Sequence, residues 1–199
     1  MMCYRCWLRP AANALKSGRY YIISCNNLQA DQGKCITFVQ NEMIMSKVDK
    51  YVALIPRIQS VLSGETDEIA RMSNMAALLH FEFGFWWTGF YRVVSADELV
   101  LGPFQGPVAC TRIKKGRGVC GTSWSEERTL VVPDVEQFPG HIACSSESRS
   151  EIVVPCRKCG QIVAVLDIDS KELATFDEID RDYLEQIVSM LYGEESQRG

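Results

Sequence analysis

Val163-Ala-Val-Leu-Asp-Ile-Asp-Ser170, followed by the run Thr175-Phe-Asp-Glu178, decides how this chain is read. The first stretch is an apolar, β-branched run that reads as a strand, Ile162 to Ile168, and it ends in two carboxylates. Side chains two apart on a strand point the same way, so Asp167 and Asp169 share one face. Thr175 and Glu178 have the spacing of a helix-opening capping box. Ile179, Tyr183, Ile187, Met190 and Leu191 then follow on one face of a helix. Upstream, Glu151 to Cys156 reads as a second strand, joined to the first by a short turn near Gly160. An antiparallel hairpin there would set Glu151 beside the Asp pair. Further strands are read at Trp86 to Val94, Glu98 to Leu101 and Thr129 to Val132, with glycine-, proline- and serine-containing turns between them.

Two helices precede these strands. Tyr51, Leu54, Ile55, Ile58 and Leu62 make a helical stripe over Lys47 to Leu62, expected to kink at Pro56 and to end at Gly64. A second helix is expected from Thr66, as a cap, through Ile69, Met72, Met75, Ala76 and Leu79. An aromatic stretch from Phe81 to Tyr91 then opens the sheet. Helices at both ends with strands between them give an α+β class: a mostly antiparallel central sheet flanked by N- and C-terminal helices.

The chain has 199 residues, enough for one core. Residues 45–199 are expected to form it. Residues 1–44 are expected to be a poorly structured extension, with Cys3, Cys6, Cys25 and Cys35 among Arg5, Arg9, Lys16 and Arg19 and no acid before Asp31. Such a start reads as a disordered leader, an upstream extension of the frame before Met43 and Met45, or a mitochondrial presequence. A net charge of −4 offers no field for a phosphate backbone, so nucleic acid is not expected as a partner. No apolar run approaches the roughly 20 residues of a membrane span, so no membrane is expected either. An odd count of nine cysteines without a clear secretory signal fits a reducing compartment. That compartment is the cytoplasm, or the mitochondrion if the leader is a presequence.

The stretches 102–128 and 133–150 read as long, loop-like connections with short helices, where function tends to sit. They carry Gly102-Pro-Phe-Gln-Gly106 before Cys110, Gly116-Arg-Gly-Val-Cys120-Gly121, and Gly140-His-Ile-Ala-Cys144. Spacing alone is equally compatible with three buried cysteines beside ordinary turns. The carboxylates Glu151, Asp167 and Asp169 could hold an ammonium group or a metal, or keep one member protonated as an acid. In the aromatic stretch, Phe85, Trp86 and Phe90 read as core. Trp87, Gly89 and Tyr91 have the opposite alternation and could wall a pocket. Cys156-Arg-Lys-Cys159 and Cys3-Tyr-Arg-Cys6 are C-x2-C pairs about 150 residues apart, an arrangement that does not make one zinc site, and no metal ligand is assigned. His80 reads as helix-end packing, and His141 as a loop-ordering group.

Together, Trp87-Thr-Gly-Phe-Tyr91, Leu101-Gly-Pro-Phe-Gln-Gly106, Ala109-Cys110, Gly116-Arg-Gly-Val-Cys-Gly-Thr122, Gly140-His-Ile-Ala-Cys144, Ser150-Glu-Ile-Val-Val-Pro155 and Val165-Leu-Asp-Ile-Asp-Ser170 resemble the free methionine-(R)-sulfoxide reductases, catalytic members of the GAF-domain superfamily. The resemblance covers roughly Met45 to Leu191. It implies a GAF-like fold and reduction of free L-methionine (R)-sulfoxide to methionine. By the same resemblance Cys144 matches the catalytic cysteine, Cys110 and Cys120 the two earlier family cysteines, Glu151, Asp167 and Asp169 the pocket carboxylates, and Trp87 and Tyr91 the aromatic wall. Cys156 and Cys159 match nothing in it. Attack by Cys144 on the sulfoxide sulfur needs an acid at the substrate oxygen, which Asp169 or Glu151 could supply. The resulting sulfenic acid condenses with Cys110, or secondarily Cys120, to a disulfide. The family implies no bound cofactor, thioredoxin as reductant with NADPH acting through thioredoxin reductase, and a homodimer. The alternative is a non-catalytic GAF module that senses a small ligand or redox state.

Overall fold

A computed structural model describes residues 45–140 and 147–192. The expectations for residues 1–44, and for His141 and Cys144, lie outside them. Helix α1, Lys47–Leu62, opens with a capping box that the sequence reading did not single out. The Ser46 hydroxyl accepts from the Asp49 N–H, and the Asp49 side chain accepts from the Ser46 N–H. The helix continues through Pro56. Helix α2, Glu68–Phe83, is capped by Asp67 rather than Thr66. It also runs past the expected boundary, so Phe81 to Phe83 are helical, and Gly84 ends it in a left-handed conformation at φ 70°.

Strands β1 (Trp87–Val93), β2 (Glu98–Gln105), β3 (Arg112–Lys114), β4 (Leu130–Val132), β5 (Ser150–Lys158) and β6 (Gln161–Ser170) form one sheet in the order β3-β2-β1-β6-β5-β4. Every pairing is antiparallel. The expected α+β class with its antiparallel sheet is therefore borne out. Two corrections fall within the expected 102–128 loop. Strand β2 extends to Gln105, and Arg112–Lys114 adds an edge strand, because both pair with neighbours distant in sequence. Helix α3, Gly118–Glu126, is the short helix expected in the same stretch.

Helix α4, Glu178–Ser189, opens on a capping box made by Asp177 and Asp180, not Thr175 and Glu178. Its buried side carries Asp180, Leu184, Ile187 and Val188. Ile179, expected on that side, is exposed. Asp180 explains the change. Its carboxylate accepts from the Tyr51 hydroxyl at 2.8 Å and from Lys47 Nζ at 2.5 Å, tying the start of α4 to α1. At the other end Arg71 of α2 donates to the carbonyls of Leu62, Glu65, Met190 and Leu191. It thereby serves the Leu62, Met190 and Leu191 carbonyls at helix ends, which find no N–H donor within their own helix, and the Glu65 carbonyl between α1 and α2.

These helices cover one face of the sheet. Tyr51, Leu54, Met75, Leu79, Leu184 and Ile187 pack there against Phe90, Ile152, Val154, Leu166 and Ile168. The other face carries the opposite alternation of the same strands: Trp87, Tyr91, Val153 and Val165 pack with Val119, Cys120 and Trp124 of α3. That second face holds the candidate site.

Candidate functional site

Register builds the site. Asp169 lies between Trp87 of β1 and Glu151 of β5, and Asp167 lies between Gly89 and Val153. Glu151, Asp167 and Asp169 therefore share the α3 face with Trp87 and Tyr91, as alternation requires. Gly89 brings no side chain of its own to this row, which leaves room for its neighbours. A Cβ there would meet both the Trp87 ring and Phe104 Cβ at 2.4 Å. The Trp87 ring uses that room, lying nearly parallel to Phe104 with centroids 5.4 Å apart and to Tyr91 at 6.0 Å. Trp87 Nε1 donates to the Pro107 carbonyl and the Tyr91 hydroxyl to the Cys110 carbonyl, both at 3.0 Å. The aromatic wall thus holds the segment that carries Cys110.

Cys110 is disulfide-bonded, whereas Cys120, Cys156 and Cys159 are free. Cys120 sits in the buried first turn of α3, its sulfur 4.0 Å from Glu151 Oε1. The same turn presents the N–H groups of Gly118, Val119 and Cys120, for which a helix has no internal acceptor. The N–H groups of Gly116, Arg117 and Gly121 are already used within the segment.

Electrostatics in this row are dominated by burial. Burial pushes the Glu151 carboxyl well above its ordinary range, helped by the charges of Asp167 and Asp169. Asp167 is pushed up to about 6 by burial, opposed by hydrogen bonds with Cys120 and Glu151. Asp169 is raised by burial and by Asp167, and a hydrogen bond with Ser148 acts against this. The Cys120 thiol rises as well, through burial and then through Asp167 and Glu151. Neutral acids are therefore available in this row, whereas a ready thiolate at Cys120 is not.

The fold, the paired carboxylates and the aromatic wall resemble a known family, and the GAF domain model matches residues 57–192. The chain belongs to the GAF domain family. A Dictyostelium discoideum GAF domain-containing protein A is 59% identical over 146 residues, covering 73% of this chain and 92% of that protein. The free methionine-R-sulfoxide reductase of Escherichia coli is 43% identical over 148 residues, covering 74% and 89%. The X-ray structure of free methionine-R-sulfoxide reductase from Neisseria meningitidis in complex with its substrate is 53% identical, with a TM-score of 0.72, and covers 74% of this chain and 89% of that one. The resemblance read from the sequence is borne out by these relatives.

Not every sequence candidate belongs to this GAF domain's pocket. Cys156 is fully buried in the core on the helix-covered face, whereas Cys159 is exposed at the β5–β6 turn with φ 50°. His80 packs edge-on against Phe81 near the end of α2, as expected of helix-end packing. Trp86, read as core, is only partly buried, with Lys171 over its ring at 3.5 Å. Sequence reasoning missed Phe104 and Ser148. Extending the β2 alternation through Gly102-Pro-Phe104 would have exposed the first, whereas the second follows only from tertiary packing.

Gly121 fixes where Cys120 sits. A Cβ at this position would meet the Lys114 carbonyl oxygen at 2.3 Å, a backbone atom with little freedom to retreat. Gly121→Ala is expected to shift α3 and to cost about 1–3 kcal/mol. Chemical denaturation checks this, and an unchanged midpoint would show that α3 is not held against β3.

Proposed function

We propose that this chain reduces free L-methionine (R)-sulfoxide to methionine. The observation that carries the proposal is the row Trp87, Asp169, Glu151 with Asp167 beside it. Three carboxylates and an aromatic wall share one face of the sheet, and Cys120 lies in the first turn of the helix above. The name of the E. coli relative and the substrate complex of the Neisseria relative support the reading.

The pocket chemistry suits the substrate. A free amino acid brings an ammonium group that can neutralise buried carboxylates, and a peptide-bound methionine does not. Trp87 and Tyr91 give an apolar wall for the methyl end. The first-turn N–H groups of α3 suit the substrate carboxylate. Glu151 or Asp169, held protonated by burial, donates to the sulfoxide oxygen while the Cys144 thiolate attacks the sulfur. The oxygen passes to Cys144 as a sulfenic acid and methionine leaves. The Cys110 thiol then condenses with the sulfenic acid, releasing water and forming a disulfide, with Cys120 as the second choice. Thioredoxin reduces that disulfide by exchange and is itself recycled with NADPH by its reductase. The disulfide-bonded state of Cys110 fits this cycle.

The test is methionine release from the free R-sulfoxide, the free S-sulfoxide and an R-sulfoxide peptide, each with thioredoxin, its reductase and NADPH. Turnover of the free R-epimer alone is expected. No turnover of any of the three by folded, reduced protein would replace this reading with a ligand-sensing module.

A further inference from the structure

The carboxylate row also has the composition of a metal site. Cys120, Glu151 and Asp167 are all buried, and each offers a ligand atom within 4.8 Å of the other two. Asp167 is 6% exposed, and its Oδ1 has no hydrogen-bond partner among the described residues. A buried carboxylate oxygen left without a donor is costly unless something positive occupies the space beside it.

The three groups come from rigid elements. Glu151 and Asp167 lie on adjacent inner strands, and Cys120 lies on a helix whose next residue packs against the Lys114 backbone. One soft thiolate with two carboxylate oxygens is a donor set for a borderline cation of the zinc type. It does not suit magnesium or calcium, which take oxygen ligands throughout. Tetrahedral zinc places its ligand atoms roughly 3.3–3.8 Å apart, given its usual bond lengths. The 4.0 Å between Cys120 Sγ and Glu151 Oε1 is close to that spacing.

We propose that the reduced chain binds a zinc-type divalent cation through Cys120, Glu151 and Asp167, leaving a fourth position for water, and that the bound cation inhibits the enzyme. Binding is not a redox step. The Cys120 thiol and any protonated carboxyl among the ligands release their protons to solvent as the metal–sulfur and metal–oxygen bonds form. The cation takes the space in which the substrate ammonium would meet the carboxylates, and it ties up the Cys120 sulfur. Inhibition is therefore competitive with the sulfoxide. Only this inhibition rests on the function proposed above; the binding itself does not.

The experiment uses the full reduced chain and cobalt(II) as the probe. One cobalt per chain with a thiolate-to-cobalt absorption band is expected, and zinc should displace it. Cys120→Ser should lose the band. Asp167→Asn should weaken cobalt binding by at least about tenfold. Variants lacking Cys110, Cys144 or the Cys3/Cys6 pair should keep the band, and thermal unfolding confirms that each protein is folded. A band that survives in Cys120→Ser, or the absence of stoichiometric cobalt in the folded reduced chain, would overturn the site. Cobalt binding in a chain without reductase activity would support the site and defeat the proposed function. Normal turnover with no cobalt bound would do the reverse.

Discussion

Cys144→Ser is expected to abolish multiple turnover, lowering kcat/KM by roughly 10³-fold or more, while Cys110→Ser still releases about one methionine per chain in a single turnover. The contrast follows from what each thiol must do. The attacking sulfur has to be a thiolate, and thiolates form where positive charge or helix N–H groups favour them. Cys120 has the opposite surroundings, since burial and the neighbouring carboxylates Asp167 and Glu151 hold its proton on. Cys156 is buried in the opposite core, where burial raises its thiol too. A resolving thiol works under easier terms, because a sulfenic acid is already electrophilic and loses water. In the proposed cycle Cys110, whose carbonyl accepts from the Tyr91 hydroxyl, has that second task. Quenched single-turnover assays separate the two variants. Sustained turnover by Cys144→Ser would remove that cysteine from the mechanism, and no burst from Cys110→Ser would give Cys110 a part in the first step.

The row of carboxylates was legible in the sequence because strand alternation is strict. Asp167 and Asp169 share a face by spacing alone, and the turn at Gly160 brings Glu151 opposite Asp169. The assignment of Trp87 and Tyr91 to the same face rests on the same period. What the sequence concealed depended on partners distant in the chain. Thr175-Phe-Asp-Glu-Ile-Asp180 contains two overlapping candidate caps, Thr175 with Glu178 and Asp177 with Asp180. Lys47 and Tyr51, about 130 positions away, select the one containing Asp180. Aromatic Phe81 and Phe83 favour strands locally, yet α2 carries them as far as Gly84, and Phe83 stacks on Phe85 at 5.1 Å. Strand β3 is three residues long and exists through its pairing with β2. The raised thiol of Cys120 was invisible for the same reason, since its carboxylate neighbours lie 31 and 47 positions on.

Glu151→Gln is expected to lower kcat/KM by about 10²-fold or more while making the fold more stable by about 1–2 kcal/mol near neutral pH. Both effects come from one cause. Glu151, Asp167 and Asp169 are buried together on one face, so the folded chain holds protons that the unfolded chain releases. For a carboxyl whose folded value is raised, stability is fully present below the unfolded value and declines as pH climbs through the folded one. Asp167 sets the visible window, from the ordinary carboxylate value up to about 6. Above it Glu151 still holds a proton that the unfolded chain has released, a cost that glutamine removes. The substrate ammonium needs an ionised Asp167, so sulfoxide binding should strengthen with rising pH across the window in which the free fold weakens. Glutamine keeps the shape of the side chain but can neither pair with the ammonium nor donate a carboxyl proton. Urea midpoints and KM measured from pH 5 to pH 8 check both halves. Wild-type stability should fall over this range more steeply than that of Glu151→Gln. A variant that loses stability at every pH would make Glu151 a structural acceptor in β5 rather than a strained member of the pocket, and the ammonium pairing would then rest on Asp167 and Asp169 alone.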